Sequence, residues 1–291
     1  MDTFPDRNDR NPFTPPESGF ATLGGPVAIG RYGRFDVDDV VRTSWALFKQ
    51  NPWRVITLVI GVGILNWLMQ FGLGMIPNLS APIIRDATVV RILSVFASLA
   101  SMILSIWLSI GLNRALLRYA RSEPVEFSEV GNGGPYLLTV ILGSLAMGLI
   151  MVVPATVLGG GIAFVMYSDP PSGPVLAILG VLGLASLLTM IYVLIRLNYF
   201  MFICFDHDTG VIDSLRGSWE ATKGRVVTLI LISLAQMAIN LLGMLALCVG
   251  LFVTVPLTSL MYTVTYDKMV GGPPAIDLGE VKPGTDPDWS P

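Results

Sequence analysis

Residues 226–266 read VVTLILISLAQMAINLLGMLALCVGLFVTVPLTSLMYTVTY, 41 consecutive residues without a formal charge. A helix rising about 1.5 Å per residue crosses the hydrocarbon layer of a bilayer in about 20 apolar residues. This stretch is about twice that length, and Gly243 and Gly250 near its middle are natural points for a helix to end and the chain to turn. It therefore reads as two spans joined by a turn between Gly243 and Gly250.

Outward from it, no Asp or Glu falls in 54–77, 92–113, 136–167 or 174–205, and each of these reaches crossing length. Span one is expected over 54–77 and span two over 90–113, the latter ending in the basic run Arg114, Arg118, Arg121. Span three follows the Gly-Asn-Gly-Gly-Pro breaker at 131–135 and passes through Pro154, where a kink is expected because proline removes a helix hydrogen bond. The stretch SDPPSGP at 168–174 is a turn, and span four runs from there to about Cys204. The expected fold is thus an all-α membrane protein of about six transmembrane helices arranged as helical hairpins.

Composition agrees. Apolar residues make up 53% of the 291 residues and charged residues only 13%, against about 25% charged in soluble domains. A net charge of −3, with no basic patch interleaved with aromatics, excludes nucleic acid as a partner. The two cysteines, Cys204 and Cys248, lie in apolar surroundings without ligand spacing, so neither a disulfide framework nor a zinc site is expected. Residues 1–34, with Pro5, Pro12, Pro15, Pro16 and Pro26, read as a disordered tail, and 272–291 read the same way, which leaves 35–271 as the membrane domain. The start of the chain lacks a basic region followed by a short apolar run, so the first span is expected to act as its own targeting signal.

Lys and Arg set the expected orientation. With six spans and both termini cytoplasmic, all but Arg85, Arg91 and Arg196 of the 18 basic residues fall on the inside. Arg196 stands near the inner end of span four, from where it is expected to snorkel toward cytoplasmic water.

A repeat refines this plan. Val37, Asp39, Arg42, Ser44, Trp45 and Lys49 recur 174 residues later as Val211, Asp213, Arg216, Ser218, Trp219 and Lys223. After a three-residue change in length, Arg54-Val55-Ile56-Thr57-Leu58 corresponds to Arg225-Val226-Val227-Thr228-Leu229. The copies cover 36–60 and 210–231, and each is a short helix, a break, then a span opening with Arg. At helical spacing Val37, Val40, Val41, Ser44, Leu47 and Phe48 share one face, opposite Asp38, Asp39, Arg42 and Lys49. The second copy places Val211, Leu215, Ser218 and Thr222 opposite Asp213, Arg216, Glu220 and Lys223. These are amphipathic helices in the cytoplasmic interface before spans one and five, anchored by Arg42, Trp45, Lys49, Arg216, Trp219 and Lys223. Asp36 is the expected N-cap of the first. Residues 124–130 read as a degenerate middle copy of the pattern, a weaker match than the two matched copies.

The Ser44-Trp45 and Lys49 helix, the Phe127-Ser128-Glu129-Val130 lead-in to span three, the helix from Asp213 to Lys223, Pro256 and the closing Tyr266-Asp267-Lys268 form a pattern. It resembles a broad set of uncharacterised bacterial six-helix membrane proteins and is similar to the membrane domain fused to some glycerophosphodiester phosphodiesterases, over roughly residues 35–271. The Asn-Pro-Phe-Thr-Pro-Pro stretch at 11–16 is similar to the polar leader of such proteins. The resemblance implies a fold in a bacterial inner membrane and no reaction.

Candidate chemistry is sparse. The single histidine, His207, stands in Asp206-His207-Asp208, which reads as a solvated loop, since adjacent residues rarely direct three ligands at one ion. Neither metal nor cofactor is expected. Amides within spans, Asn66, Gln70, Asn113, Asn198, Gln236 and Asn240, need partners in hydrocarbon and read as packing contacts between helices. A set of Asn66, Arg196, Asn198 and Asn240 is the candidate polar or lipid-contact site. No acidic residue is expected inside a span, which disfavours a proton relay. The function expected is a non-enzymatic scaffold or assembly component, with membrane lipids and other membrane proteins as partners. The alternative is a transporter or lipid-handling protein with a polar site at the repeat interface.

Overall fold

The computed structural model describes residues 35–80, 82, 84, 86–123, 125, 127–167, 172–246 and 250–271. The expected tails 1–34 and 272–291, Cys248, Arg85 and residues 168–171 of the proposed turn lie outside the described residues. Among the described residues every regular element is helical.

Helix α1, Val37–Gln50, buries Val40, Ser44, Leu47 and Phe48. Its charged face forms exposed ion pairs, Asp38 with Arg42 at 2.7 Å and Asp39 with Lys268 at 2.8 Å. Asp36 occupies the N-cap position in extended backbone, but its side chain makes no capping hydrogen bond. Asn51 precedes a proline, which disfavours helical backbone, so α1 stops there and Pro52 opens α2, Pro52–Ser80. Helix α2 extends past the expected end at Pro77, which it contains.

Helix α3, Ala87–Ala120, is capped by Asp86, whose side chain accepts the Thr88 N–H at 2.7 Å. It runs beyond Asn113, so Arg114 and Arg118 sit on the helix rather than after it. The Gly-Asn-Gly-Gly-Pro stretch lies in a 3-10 segment, Phe127–Tyr136, pressed against α3. A Cβ on Gly111 would sit 1.9 Å from the Val130 carbonyl oxygen, and one on Gly133 would meet the Trp107 carbonyl at 2.7 Å. These glycines set how closely the two backbones approach.

Helix α4, Leu137–Tyr167, continues as one helix through Pro154. Helix α5, Gly173–Leu197, ends before Asn198 and Tyr199, and a separate α6, Phe200–Asp206, follows, so the expected fourth span is interrupted. Helix α7, Val211–Ala221, is separated from α8, Val226–Leu245, by Gly224, whose positive φ of 76° ends the run. Helix α9, Leu251–Val270, ends at Gly271 in left-handed backbone. At the approach of α8 to α9, a Cβ on Gly243 would strike the Thr254 side chain at 2.2 Å, and one on Gly250 would meet the Gly243 carbonyl at 2.6 Å.

Among the described residues, five helical stretches are long and apolar enough to cross a membrane: Pro52–Ser80, Ala87–Ala120, Phe127–Tyr167, Gly173–Asp206 and Val226–Leu245. The chain is an all-α, multi-pass membrane protein. Helix α9 matches α8 at 20 residues but carries Thr254, Thr258, Ser259, Thr263, Thr265 and Asp267 among its apolar residues. It contacts α1, α2, α3 and α8, and Leu260, Met261, Thr263, Val264, Thr265, Tyr266 and Met269 are buried on all sides of its second half. A helix surrounded by protein can satisfy hydroxyls internally and need not be uniformly aliphatic. The outer surface is the reverse: Leu138, Leu149, Val153, Val181, Leu188 and Leu242 are exposed, as lipid-facing residues are.

Candidate functional site

The most connected polar structure lies where α3, α6 and α9 end together, at the charged end of the bundle. Arg121, just past α3, forks onto Asp206 with Nη1 to Oδ1 at 2.6 Å and Nη2 to Oδ2 at 2.9 Å. Its Nε donates to Asp267 at 2.8 Å, and the Tyr266 hydroxyl donates to Asp206 at 2.9 Å. The side chains of Arg121, Asp206 and Asp267 are only 19%, 12% and 7% exposed. Burial disfavours the Arg121 charge, and the two carboxylates more than offset it, holding its pKa above the ordinary arginine value.

Further pairs continue this end. Arg118 donates to Glu123 at 2.8 Å and to Glu129 at 2.5 Å. Tyr136 donates to Asp208 and carries Arg114 over its ring at 5.5 Å. Arg225 donates to the Met269 carbonyl at 3.3 Å and lies over the Phe35 ring. Apart from the local Arg118–Glu123 pair, each bond ties a helix end to a different element, so the arrangement acts as a clamp. His207 Nε2 stands 3.8 Å from Asp206, too far for a hydrogen bond, and that carboxylate is already engaged by Arg121 and Tyr266. Among the described residues no group of three His, Cys, Asp or Glu side chains could hold a metal.

Of the Asp206-His207-Asp208 triplet, Asp206 departs from the expected solvated loop, drawn inward by Arg121, while His207 and Asp208 are exposed and Asp208 receives Tyr136. Asp267, expected just beyond the last span, lies within α9 and is buried. A sequence signal for this existed. Arg121, Asp206 and Asp267 each follow the apolar part of a long helical stretch, so each is a charge placed at a helix end.

The amides are divided among separate helix seams. Between α2 and α3, Gln70 donates to Ser105 at 2.7 Å and accepts from Ser101, while Ser105 donates to Asn66 at 2.9 Å. Between α8 and α9, Gln236 donates to the Thr258 carbonyl at 3.2 Å and Asn240 to its hydroxyl at 3.3 Å. Asn198 offers its backbone carbonyl to the Tyr262 hydroxyl at 2.6 Å, and Asn113 bonds within its own helix. Asn66 bonds at the α2–α3 seam, whereas Asn198 and Asn240 bond to Tyr262 and Thr258, one turn apart on α9.

Among the described residues, none of those three lines either of two cavities that border the bundle. One, of about 530 Å³, is an apolar groove between α4 and α5 that includes Leu158, Gly161, Leu179 and Gly183. The other, of about 570 Å³, lies at the junction of α1 and α2 and is lined by Gln50, Trp53, Arg54, Leu116, Tyr119 and Phe127.

The six anchor residues are all exposed. Trp45 stacks on Phe48 with Lys49 over its ring at 5.7 Å, and Arg42 and Arg216 pair with the carboxylates of Asp38 and Glu220 one turn away. Lys223 follows α7 on its exposed side. Arg196 departs from the snorkelling expectation. It is enclosed by protein, and its guanidinium lies against the ring of Trp219 rather than in water.

No protein-family model, no curated protein and no solved structure matches the chain.

Proposed function

We propose that the chain is a six-span bacterial inner-membrane protein, with both termini cytoplasmic, that serves as a non-enzymatic scaffold or assembly component for other membrane proteins. Helix α9 is the sixth span, and α2–α3, α4–α5 and α8–α9 are its three hairpins. The charged end of the bundle is the cytoplasmic end, in keeping with the concentration of Lys and Arg there. Helices α1 and α7 are its interfacial amphipathic helices and the two copies of one repeated unit. Their burial supports this: Val40, Ser44, Leu47 and Phe48 are buried, and so are Ser214, Ser218, Ala221 and Thr222 at the same spacing of 174. The likeness to the membrane domain of glycerophosphodiester phosphodiesterases belongs to the same reading and carries no reaction with it.

The observation that supports a scaffold best is the interior. Helix α9 fills the centre, and the intramembrane amides are spent on neighbouring helices across two seams. A transporter would instead bring such groups to a shared, water-accessible site near the midplane. The test is reconstitution beside native extraction. Protein in sealed liposomes should leave their permeability to ions and small polar solutes unchanged, and in mild detergent it should migrate with more protein mass than one chain. A solitary monomer whose flux is lost on Asn240→Leu would overturn the reading.

A further inference from the structure

We propose that Arg196 anchors a phosphate-binding site at the corner of α5 and α7, taken in the membrane by a phospholipid headgroup or by a free phosphate ion. The proposal does not rest on the scaffold reading. Arg196 is 4% exposed, its Nε is buried without a hydrogen-bond acceptor, and no carboxylate among the described residues pairs with it. Other arginines of the same end are provided for: Arg42, Arg118, Arg121 and Arg216 each hold a carboxylate at 3.1 Å or less.

A buried charge is costly unless it is paired, and removing its counter-ion leaves that cost standing. Part is offset by the rings: the guanidinium carbon lies 4.1 Å from the Trp219 centroid and 5.6 Å from that of Tyr192. Ring contacts leave the in-plane Nε–H without an acceptor. A planar fork of donors matches the oxygens of a phosphate.

The surroundings hold the group in place and favour an anion. Helix α5 ends one residue later, and its terminal carbonyls need donors. Ser218 of α7 supplies one, its hydroxyl donating to the Arg196 carbonyl at 2.8 Å, while the Thr222 hydroxyl donates to the Ser218 carbonyl at 2.8 Å. The Ser218 bond holds the Arg196 backbone against α7, beside the two rings. Tyr192 and Trp219 are half-exposed, as rings at a bilayer surface are, and Lys223, one turn beyond Trp219, adds an exposed positive charge. The equivalent place in the first copy differs, because there Lys49 lies over Trp45 in the open.

The experiment uses the full-length protein, stripped of lipid in neutral detergent and challenged with phosphatidylglycerol, inorganic phosphate or a phosphate-free digalactosyl lipid. Thermal unfolding and native mass spectrometry are the readouts. Phosphatidylglycerol or phosphate should raise the Tm, and the digalactosyl lipid should not. Arg196→Gln should need at least about tenfold more ligand for the same shift. Arg54→Gln, an exposed arginine at the start of α2, should respond as the wild type does. A phosphatidylglycerol response that phosphate fails to compete assigns the site to lipid, and competition assigns it to the free anion. Equal response to the phosphate-free lipid, or an unchanged Arg196→Gln, overturns the proposal. Should Arg196→Gln fail to fold, Trp219→Leu takes its place: it should weaken the response, and an unchanged one contradicts the site.

Discussion

Arg121 carries more of the molecule's cohesion than its position at a helix end suggests. It neutralises two carboxylates that arrive from distant parts of the chain, and all three groups are shielded from water. Arg121→Leu would leave Asp206 and Asp267 buried together without a counter-charge, which should cost about 3–5 kcal/mol. Tyr266→Phe removes one hydrogen bond to a charged group and should cost about 1.5–3 kcal/mol. Denaturant unfolding in mild detergent would measure both; equal effects would mean that the arginine is not the keystone. Residue types at these sites were readable from sequence, and their partnership was not. The apolar run stops at Tyr266, and burial of Asp267 depends on α3 delivering Arg121 to it, a contact between positions 146 residues apart. Arg196 illustrates the same limit. Its depth suggested a route to water, whereas the ring of Trp219 from α7 closes over it.

At the level of elements, apolar run length located the five described helices of membrane-crossing length, because the bilayer requirement acts on each helix by itself. Helix ends were less legible. Helix α3 continues through Arg114 and Arg118 because Glu123, Glu129 and the Tyr136 ring receive those side chains from outside the helix. The Gly-Asn-Gly-Gly stretch read as a breaker, but its Gly133 also faces α3 at backbone contact. Gly111→Ala should therefore push the 3-10 segment off α3 and cost about 1–3 kcal/mol, as overpacking does. Gly63→Ala, where an added Cβ meets nothing within 4 Å, should be neutral or slightly stabilising. Thermal unfolding of the two variants would check this, and similar losses from both would remove the close-approach explanation. Helix α9 marks the other limit of run length. Its central place lets it carry threonines and an aspartate, so composition alone ranks it below the five helices of membrane-crossing length.

For the whole molecule, the arrangement is an apolar belt of exposed aliphatic side chains around a packed interior, closed at one end by ion pairs. Helix α9 joins the two parts, since its middle meets the amides of α8 and its end meets Arg121 and Asp39. That role requires α9 to cross the membrane completely. The most direct measurement is labelling of single cysteines, introduced after Cys204 and Cys248 are replaced by serine, with a membrane-impermeant reagent in intact and permeabilised cells. With six spans, Lys49→Cys, Lys223→Cys and Gly271→Cys are all protected until the membrane is opened, while Ser172→Cys reacts from outside. Reaction of Gly271→Cys in intact cells, with Lys49→Cys still protected, would mean five crossings and would contradict a central, membrane-spanning α9.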